Sequence, residues 1–398
     1  MINAAISAEL AEADDLDWKS ELIPVKNLPQ SDFPKDVAAM ANRGGGLLIY
    51  GVKEVAKKAT SRVDVGAFDE RYEAALLSAA VTAITPPVFN LRAYWVGEPG
   101  DTVLAVVIPG TSDVPHLIYR GEYFGAPVRN DAMTVWMKER QVEALYRARF
   151  DERRRSTEAL DSIYDEAVRN WANTSRAWLV AAARPQLPSA NTVRPDRDDA
   201  RAVFEEAKKN TLLYAGSGGI HPIESVETTN PRPGLRRWVA ANSAITDSLK
   251  WRESWAAIHH DGSVTLATGI GGQRTSRYQL EEHQIDSAAI ETAVSDFMGL
   301  VRATSERLGL GEYDVRVGIQ CTVPTPLHIQ TVDGQGFEFR DNSTPLVRYT
   351  PVERTVVADS DPLDFYWQVH DLAEDCINQG GITTVRMIRP PERDNGGA

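Results

Sequence analysis

The sequence predicts an α+β protein built from two domains. Segments with apolar residues at helical spacing and short β-rich runs both occur along the chain, without a regular order. The 398 residues exceed the length of ~250 at which a single core usually stops growing. We therefore expect a first domain, a mixed sheet with helices, over residues 1–155, a second α+β domain over residues 156–390, and a disordered tail over residues 391–398.

The first domain begins with a short helix and a buried strand. Ser31 can cap a helix over residues 31–42, and Pro34 suits its first turn. The apolar block after Gly46 predicts a strand over residues 46–53. The remaining predicted elements are a helix at 68–84, a hairpin of strands 91–96 and 102–108, a strand at 123–129 and a helix at 138–150.

The second domain shows a clear hairpin and a clear amphipathic helix. Asp261-Gly262 suits a tight turn within a hairpin over residues 251–270. Ile290, Val294 and Phe297 fall on one side of a helix over residues 285–311. The other predictions are a helix at 157–183, a loop at 183–199, a helix at 362–378, and strands at 313–321, 337–340, 346–349 and 383–388.

The composition excludes several classes of protein. The net charge of −13 and the pI of about 5.1 argue against a protein that coats nucleic acid through bulk electrostatics. No apolar run reaches the ~18 residues needed to cross a bilayer. The N-terminal residues lack the pattern of a secretory signal, and the two cysteines suit a reducing interior. We expect a cytoplasmic protein whose contacts with nucleic acid are local.

Three consecutive glycines, Gly44 to Gly46, separate the predicted helix from the buried strand. Glycines at such a junction let backbones approach closely and can leave N–H groups for a phosphate or a neighbouring chain. Alternatively, they are only a helix stop and a tight turn. A P-loop is excluded because no Gly-Lys-Ser/Thr follows.

A series of motifs runs in order through residues 10–150. It comprises Glu12, LDWK at 16–19, AAMANRGGGLLIYGVKE at 38–54, TPPV at 85–88, VLAVVIPG at 103–110, VPH at 114–116 and YFGAPVRND at 123–131. The series resembles the AlbA-like domain of the Schlafen family. The resemblance covers the first domain, and we recognise no family for the second.

Many Schlafen proteins cut RNA, especially tRNA, with three carboxylates, and the resemblance implies this activity here. Glu12 and Asp17 occupy the first two carboxylate positions, and Glu54, after Gly51-Val52, matches the third. Lys19 is retained from the family pattern. Asp17 is one methylene shorter than the family's Glu, and Trp18 replaces a Phe.

Three converging carboxylates are suited to phosphodiester cleavage. Hard oxygen ligands hold Mg²⁺ or Mn²⁺, and the ion neutralises the phosphate and activates a water. Lys19 could contact the scissile phosphate or position one acid. The alternative is a solvated acidic face, since Glu12 and Asp17 belong to an acidic run. Against this, a buried Trp18 would fix the direction of its strand neighbours.

Contacts with nucleic acid are expected from the glycine turn and from scattered cations. Arg129 matches the late Arg of the family pattern and is the predicted phosphate ligand. His116 could orient or donate, or it could be structural. The other predicted contact residues are Arg43, Gly44, Gly45, Lys57, Lys58 and Arg120.

Two functions remain open at this point. The first is a metal-dependent endoribonuclease acting on tRNA-like RNA, with a role in defence against phage. The second is a non-catalytic DNA- or RNA-binding transcriptional regulator whose C-terminal domain senses a signal. In some Schlafen proteins two such N-terminal units clamp a folded RNA, so a homodimer of this chain would supply the second unit.

Overall fold

The chain divides into two compact units, Met1–Arg154 and Arg155–Ala398, and each combines helices with several sheets. The predicted α+β class is confirmed. The computed structural model describes residues 2–120, 123–171, 176–187, 194–216, 218–242, 252–273, 279–332, 338–339 and 343–389. The predicted disordered tail at 391–398 lies outside the described residues.

The first unit combines helices with many short strands. Its helices are α1 (Ile2–Ser7), α2 (Phe33–Ala41) and α3 (Glu70–Thr82), followed by the start of α4 (Glu139–Trp171). Its strands are β1 (Leu16–Lys19), β2 (Gly46–Tyr50), β3 (Val52–Val55), β4 (Lys58–Arg62), β5 (Ile84–Thr85), β6 (Arg92–Val96), β7 (Val103–Ile108), β8 (Leu117–Arg120), β9 (Tyr123–Gly125), β10 (Pro127–Asn130) and β11 (Met133–Trp136).

The main sheet of the first unit has the order β1-β2-β7-β6, with β1 as an edge strand parallel to β2. Leu48 and Tyr50 of β2 face a core formed with α2 and α3. Ile49 faces the opposite way, into a smaller cluster with Val52 and Ala59 of the β3–β4 hairpin. The sheet is therefore covered on both faces. Because successive side chains of a strand point to opposite faces, alternate residues of β1 pack against opposite layers.

The glycine turn after α2 is held by close backbone packing. Gly45 has a φ of 102°, and a Cβ added to it would lie 2.6 Å from Ile108 O and 2.8 Å from Gly110 N. Gly44 has a similar φ of 109°, but a Cβ there would meet no atom within 4 Å. The chain thus needs glycine at Gly45 for space as well as for conformation.

Alanine substitutions should separate these two requirements. We expect Gly44→Ala to cost about 1–2 kcal/mol, since an L-residue is strained at positive φ. Gly45→Ala should cost a further 1–3 kcal/mol, roughly, because its methyl group meets backbone atoms that cannot rotate away. Urea unfolding of both variants measures the difference, and equal losses would contradict the packing explanation.

The second unit is larger and is built on a broad sheet. Its helices are the remainder of α4, α5 (Arg197–Tyr214), α6 (Ser287–Leu308) and α7 (Pro362–Asn378). Its strands are β12 (Trp178–Pro185), β13 (Arg232–Gly234), β14 (Arg237–Ala240), β15 (Ser254–His259), β16 (Val264–Gly269), β17 (Gln284–Asp286), β18 (Glu312–Gln320), β19 (His328–Val332), β20 (Glu338–Phe339) and β21 (Val352–Val357).

Seven antiparallel strands form the broad sheet in the order β13-β14-β15-β16-β12-β18-β21. One face packs on α5, α6 and α7 and forms the largest core. The other face carries Trp178, Val180 and Ala267 against Leu160 and Tyr164 of α4.

The predicted helix at 157–183 is wrong in its second half. Helix α4 runs without a break from Glu139 to Trp171, and the alanine-rich run that follows is the central strand β12. Leu179 and Ala181 face the core beneath α5–α7, whereas Val180 faces α4. Both faces of the strand are buried, so the apolar alternation that marks a strand is missing from the sequence.

Two predicted C-terminal strands are also wrong. At 346–349 only Leu346 makes an isolated bridge, to Leu327, and the strand lies at 352–357. The segment 383–388 has no sheet partner among the described residues. Instead, Glu291 of α6 accepts hydrogen bonds from the N–H groups of Arg386 (2.7 Å) and Met387 (2.6 Å). A buried carboxylate therefore takes the place of a neighbouring strand.

Candidate functional site

The edge strand β1 presents Asp17 and Lys19 to one face of the sheet and Trp18 to the other. In the parallel register, Asp17 lies opposite Leu48 and Trp18 opposite Ile49. Trp18 is 3% exposed, packs in the cluster beneath the β3–β4 hairpin and donates from its indole N–H to Leu10 O (3.1 Å). The buried indole thus fixes the direction of Asp17 and Lys19, as expected from the sequence, and the structure places that direction towards α2.

Glu12 is held between β1 and the β3–β4 hairpin. Its N–H donates to Lys57 O (2.8 Å), and its carboxylate Oε1 accepts from the Trp18 N–H (3.3 Å). Glu12 is 8% exposed, and its carboxyl group interacts with the carboxyl groups of Asp17 and Glu54. Glu12 is therefore the common contact of the three acids predicted from the sequence.

Glu54 reaches this position through an irregularity in β3. The register between β3 and β4 shifts between Lys53 and Glu54, so that Glu54 lies opposite Ala59. Such a bulge redirects a strand and its side chains. Glu54 is exposed, unlike Glu12 and Asp17.

The three acids meet through Glu12 rather than around a single point. A metal ion needs three or more ligand atoms that lie close together. Among the described residues, His370, Asp371 and Glu374 of α7 form such a group, with ligand atoms within 4.8 Å of one another. Glu12, Asp17 and Glu54 do not form such a group. Their oxygen donors suit a hard divalent ion, and rotation of exposed Glu54 would be needed to bring all three onto one.

Three cations surround the carboxylates. Lys19 Nζ lies 2.8 Å from Asp17 Oδ2, and Lys57 Nζ lies 3.5 Å from Glu12 Oε2. Arg129 of β10 places Nη2 3.7 Å from Asp17 Oδ1 and donates to Ala13 O at 3.4 Å. The acidic charge is thus largely balanced within the chain.

Asp36 of α2 belongs to the same network, although the sequence analysis did not identify it. Its carboxylate lies 3.3 Å from Lys19 Nζ, so the ammonium group is held between Asp17 and Asp36. Asp36 is only 4% exposed. A charged residue at a buried helix position next to Val37 was the available signal, because buried Asp is rare without a partner.

The pKa values follow from this arrangement. Burial, with the neighbouring Asp17 and Glu54 carboxyl groups, raises the pKa of Glu12 from 4.5 to about 7. Burial alone would raise the pKa of Asp17, but the hydrogen bond from Glu12 and the charges of Lys19 and Arg129 lower it. Glu12 therefore holds a proton that it donates to ionised Asp17 at acidic and near-neutral pH.

The pKa values of Lys19 and Asp36 are both raised. Burial opposes the charge of Lys19, yet Asp36 and Asp17 outweigh it and raise the lysine pKa to about 12. Burial raises the pKa of Asp36 despite the nearby ammonium. Lys19 is therefore charged throughout the physiological range.

The glycine turn lies beside an acidic cleft. Gly45 donates its N–H to Met40 O (2.9 Å) and Gly44 to Ala41 O (3.2 Å), so both amides complete the end of α2. Arg43 pairs with Asp14 (3.0 Å), and Asp15 and Asp131 line the same cleft of about 620 Å³. These contacts favour the helix-stop interpretation of the glycines over a phosphate cradle.

The other predicted contact residues are dispersed. Lys58 is exposed and pairs with Glu9 at 3.4 Å. Arg129 is 4% exposed and faces Asp17, so a phosphate would reach it only beside that acid. Arg120 ends β8, and its side chain lies outside the described residues.

Asn42 and His116 anchor the strand that carries Arg129. The Asn42 amide donates to His116 O (2.9 Å) and Pro127 O (2.8 Å) and accepts from the His116 N–H (2.6 Å). His116 is fully buried, and its Nδ1 lies 2.8 Å from Pro86 O. Burial lowers the His116 pKa, which fits a neutral structural histidine. The clamp fixes β10 against α2.

Comparisons with known proteins agree with the motifs in the first unit. Residues 12–138 match the family described as Schlafen, AlbA_2. No protein among those with curated function matches the chain. No helix among the described residues is both long and apolar enough to cross a membrane.

Two solved structures are similar to part of the chain. The DIP2311 protein from Corynebacterium diphtheriae is 17% identical, with a TM-score of 0.25, over 37% of this chain and 28% of that one. The N-terminal domain of a RecG-related protein from Nitrosomonas europaea is 16% identical, with a TM-score of 0.26, over 35% of this chain and 90% of that one.

A conclusion about function follows from the family match, but not from the similarity to the two solved structures. The match supports a nucleic-acid-related function for the part of the chain that contains Glu12, Asp17 and Glu54. The site geometry and the match involve the same segment. The N-terminal unit of this chain, over residues 12–138, is a Schlafen AlbA_2 domain.

Proposed function

We propose that this protein is a metal-dependent endoribonuclease of the Schlafen type that acts on structured RNA such as tRNA. The observation that carries the proposal is the interaction of Glu12 with both Asp17 and Glu54. Lys19, Lys57 and Arg129 form ion pairs with these acids. Cutting tRNA would arrest growth of the host cell, which suits a role in defence against phage.

Glu12, Asp17 and Glu54 would hold Mg²⁺ or Mn²⁺. The bound ion would neutralise charge on the phosphate and lower the pKa of a coordinated water. Burial, together with the neighbouring Asp17 and Glu54 carboxyl groups, raises the pKa of Glu12 to about 7, so an ion bound there would displace this proton.

The cations of the site have different roles in this proposal. Lys57 is 46% exposed and Lys19 35% exposed, so a phosphate can reach both ammonium groups. Asp36 holds Lys19 from the buried side. Arg129, being buried, orients Asp17 and contacts a phosphate only when one lies against that acid.

Incubation of the purified chain with total tRNA and with duplex DNA, with and without Mn²⁺, tests the proposed function. We expect RNA fragments of defined size only when Mn²⁺ is present, and intact DNA. Absence of cleavage under all conditions, or cleavage that persists in excess EDTA, would contradict the proposal.

The raised pKa of Glu12 predicts the pH dependence of cleavage. The proton must leave before the carboxylate can bind an ion, so activity should fall about tenfold per pH unit below about 7 and level off above it. Single-turnover rates between about pH 5.5 and 8.5 measure this profile. A plateau that extends down to about pH 5, near the ordinary Glu value, would exclude Glu12 as the titrating group.

The same proton affects stability with a definite sign. Because the folded state keeps it up to about pH 7 and the unfolded chain releases it near 4.5, the contribution of Glu12 is present below 4.5 and is lost as the pH rises through 7. In EDTA, Glu12→Gln should therefore gain stability relative to wild type as the pH rises between these values.

A non-catalytic DNA- or RNA-binding regulator is the second candidate. It is favoured by the internal balance of charge, since Lys19, Lys57 and Arg129 already neutralise the acids. It predicts binding without turnover, weakened at high salt and in Arg129→Ala. Fluorescence anisotropy at several salt concentrations measures this, and an affinity that does not change with salt would exclude it.

A homodimer would supply a second AlbA_2 unit for a clamp around folded RNA. Closed two-fold dimers are the commonest protein oligomers. Light scattering at working concentration tests this part of the proposal, and a monomeric mass would remove it.

A further inference from the structure

The broad sheet of the second unit has a cleft on the face that α4 covers. Trp178, Val180 and Ala267 pack against α4 near the centre of this face. Towards β14 and β15 the helix no longer fills the surface, and a cleft of about 310 Å³ opens between these strands and the end of α4. Volumes of this size are at the lower end of small-molecule sites.

The body of the cleft is apolar and lined mainly by small side chains. Ala257 and Ala267 lie on its strands, Ala167 contributes from α4, and Val239 lies on β14. Trp255 of β15 borders the same space and is partly buried. Small residues leave space beside one indole, and an aromatic ring that entered it could pack against that indole.

One end of the cleft is polar. Arg237 of β14 lines it, with Nη1 2.8 Å from Glu166 Oε1 of α4. Its Nε is buried and makes no hydrogen bond with any described residue. The Glu166 side chain is 48% exposed, so this ion pair is weak and leaves the guanidinium able to bind a second anion.

A buried guanidinium N–H without an acceptor is costly. Among the residues that line the cleft, Arg237 carries a charge, whereas Asn170 and Thr265 are polar but neutral. A ligand with a single negative charge at one end would pair with the Arg237 guanidinium, and its apolar body would fill the space beside Trp255.

We propose that this cleft binds a small planar aromatic carboxylate, with the carboxylate on Arg237 and the ring beside Trp255. Arg is suited to this role because its N–H groups match both oxygens of a carboxylate. The proposal assigns a ligand site to the unit for which the sequence identified no family, and it does not depend on the ribonuclease assignment.

Calorimetric titration of the full chain with indole-3-acetate and with benzoate tests the proposal. The neutral amides, indole-3-acetamide and benzamide, have the same shape without the charge. We expect at least one acid to bind with a Kd below about 1 mM and at least tenfold more tightly than its amide. No saturable binding of either acid, or equal binding of acid and amide, would overturn the proposal.

Three variants locate the binding. Arg237→Leu should weaken the acid at least tenfold and leave the amide unchanged, whereas Ala257→Leu should fill the slot and abolish binding of both. Arg232→Leu, on exposed β13 outside the lining, is the matched control and should bind normally. Unchanged affinity in both Arg237→Leu and Ala257→Leu would place any observed binding elsewhere and contradict the assignment.

Discussion

The Asp17→Asn variant should cleave RNA at least about 100-fold more slowly than wild type, with little change in the fold. Removing an outer partner of a metal ligand already costs 10–100-fold, roughly, so loss of a ligand itself should cost more. The change keeps the shape of the side chain but removes the charge that Lys19 and Arg129 face. Single-turnover cleavage of tRNA with Mn²⁺ measures the effect. Glu12→Gln should behave similarly, and Glu54→Gln less severely, because Glu54 is exposed.

Asp15→Asn is the matched control for these variants. Asp15 lies two residues before Asp17 in the same acidic run, but its side chain is exposed, and its backbone oxygen accepts a hydrogen bond from the Leu47 N–H (2.8 Å). We expect its activity to equal that of wild type. If Asp15→Asn and Asp17→Asn lost activity equally, bulk acidity rather than the site would be responsible. Full activity in Glu12→Gln, Asp17→Asn and Glu54→Gln would exclude the site.

Trp18→Ala should destabilise the chain by about 3–5 kcal/mol, the largest stability effect that we expect in the first unit. The indole is 3% exposed, fills the cluster with Ile49 and Val52, and hydrogen-bonds Leu10 O. Its removal leaves a cavity beneath the strand that carries Asp17. Urea unfolding monitored by circular dichroism gives the free energy.

Trp18→Phe separates the packing of the ring from its hydrogen bond. The smaller ring keeps much of the apolar contact but cannot donate to Leu10 O, so a loss of about 1–3 kcal/mol is expected. This variant should retain cleavage activity, because Asp17 and Lys19 keep their direction. A loss below about 1 kcal/mol in Trp18→Ala would contradict the structural role of this residue.

The class of fold could be predicted from the sequence because local patterns decide most of its elements. The helix over Ser287–Leu308 and the hairpin turning at Asp261-Gly262 are specified by apolar spacing and turn chemistry. Strand β12 could not be recognised, since its run of alanines is buried on both faces by long-range packing. Residues 383–388 have strand composition, but the carboxylate of Glu291 satisfies two of their amides.

Glu12, Asp17 and Glu54 were predicted together from a motif in the sequence. The approach of Glu54 to Glu12 agrees with its place after Gly51-Val52, although the bulge that directs it leaves no signal in the sequence. Asp36 and Asn42 were not predicted as site or anchoring residues. Both act through partners far away in the chain, Lys19 and His116, and such contacts depend on the packing of α2.

Calorimetric titration of Mn²⁺ into the chain at about pH 8 tests the central claim, that Glu12, Asp17 and Glu54 together hold a divalent ion. We predict saturable binding that weakens about tenfold per pH unit below about 7 and is lost in both Glu12→Gln and Asp17→Asn, while Asp15→Asn binds as wild type does. Binding of Mn²⁺ that is unchanged in Glu12→Gln and Asp17→Asn, or no binding to the wild-type chain, would contradict it.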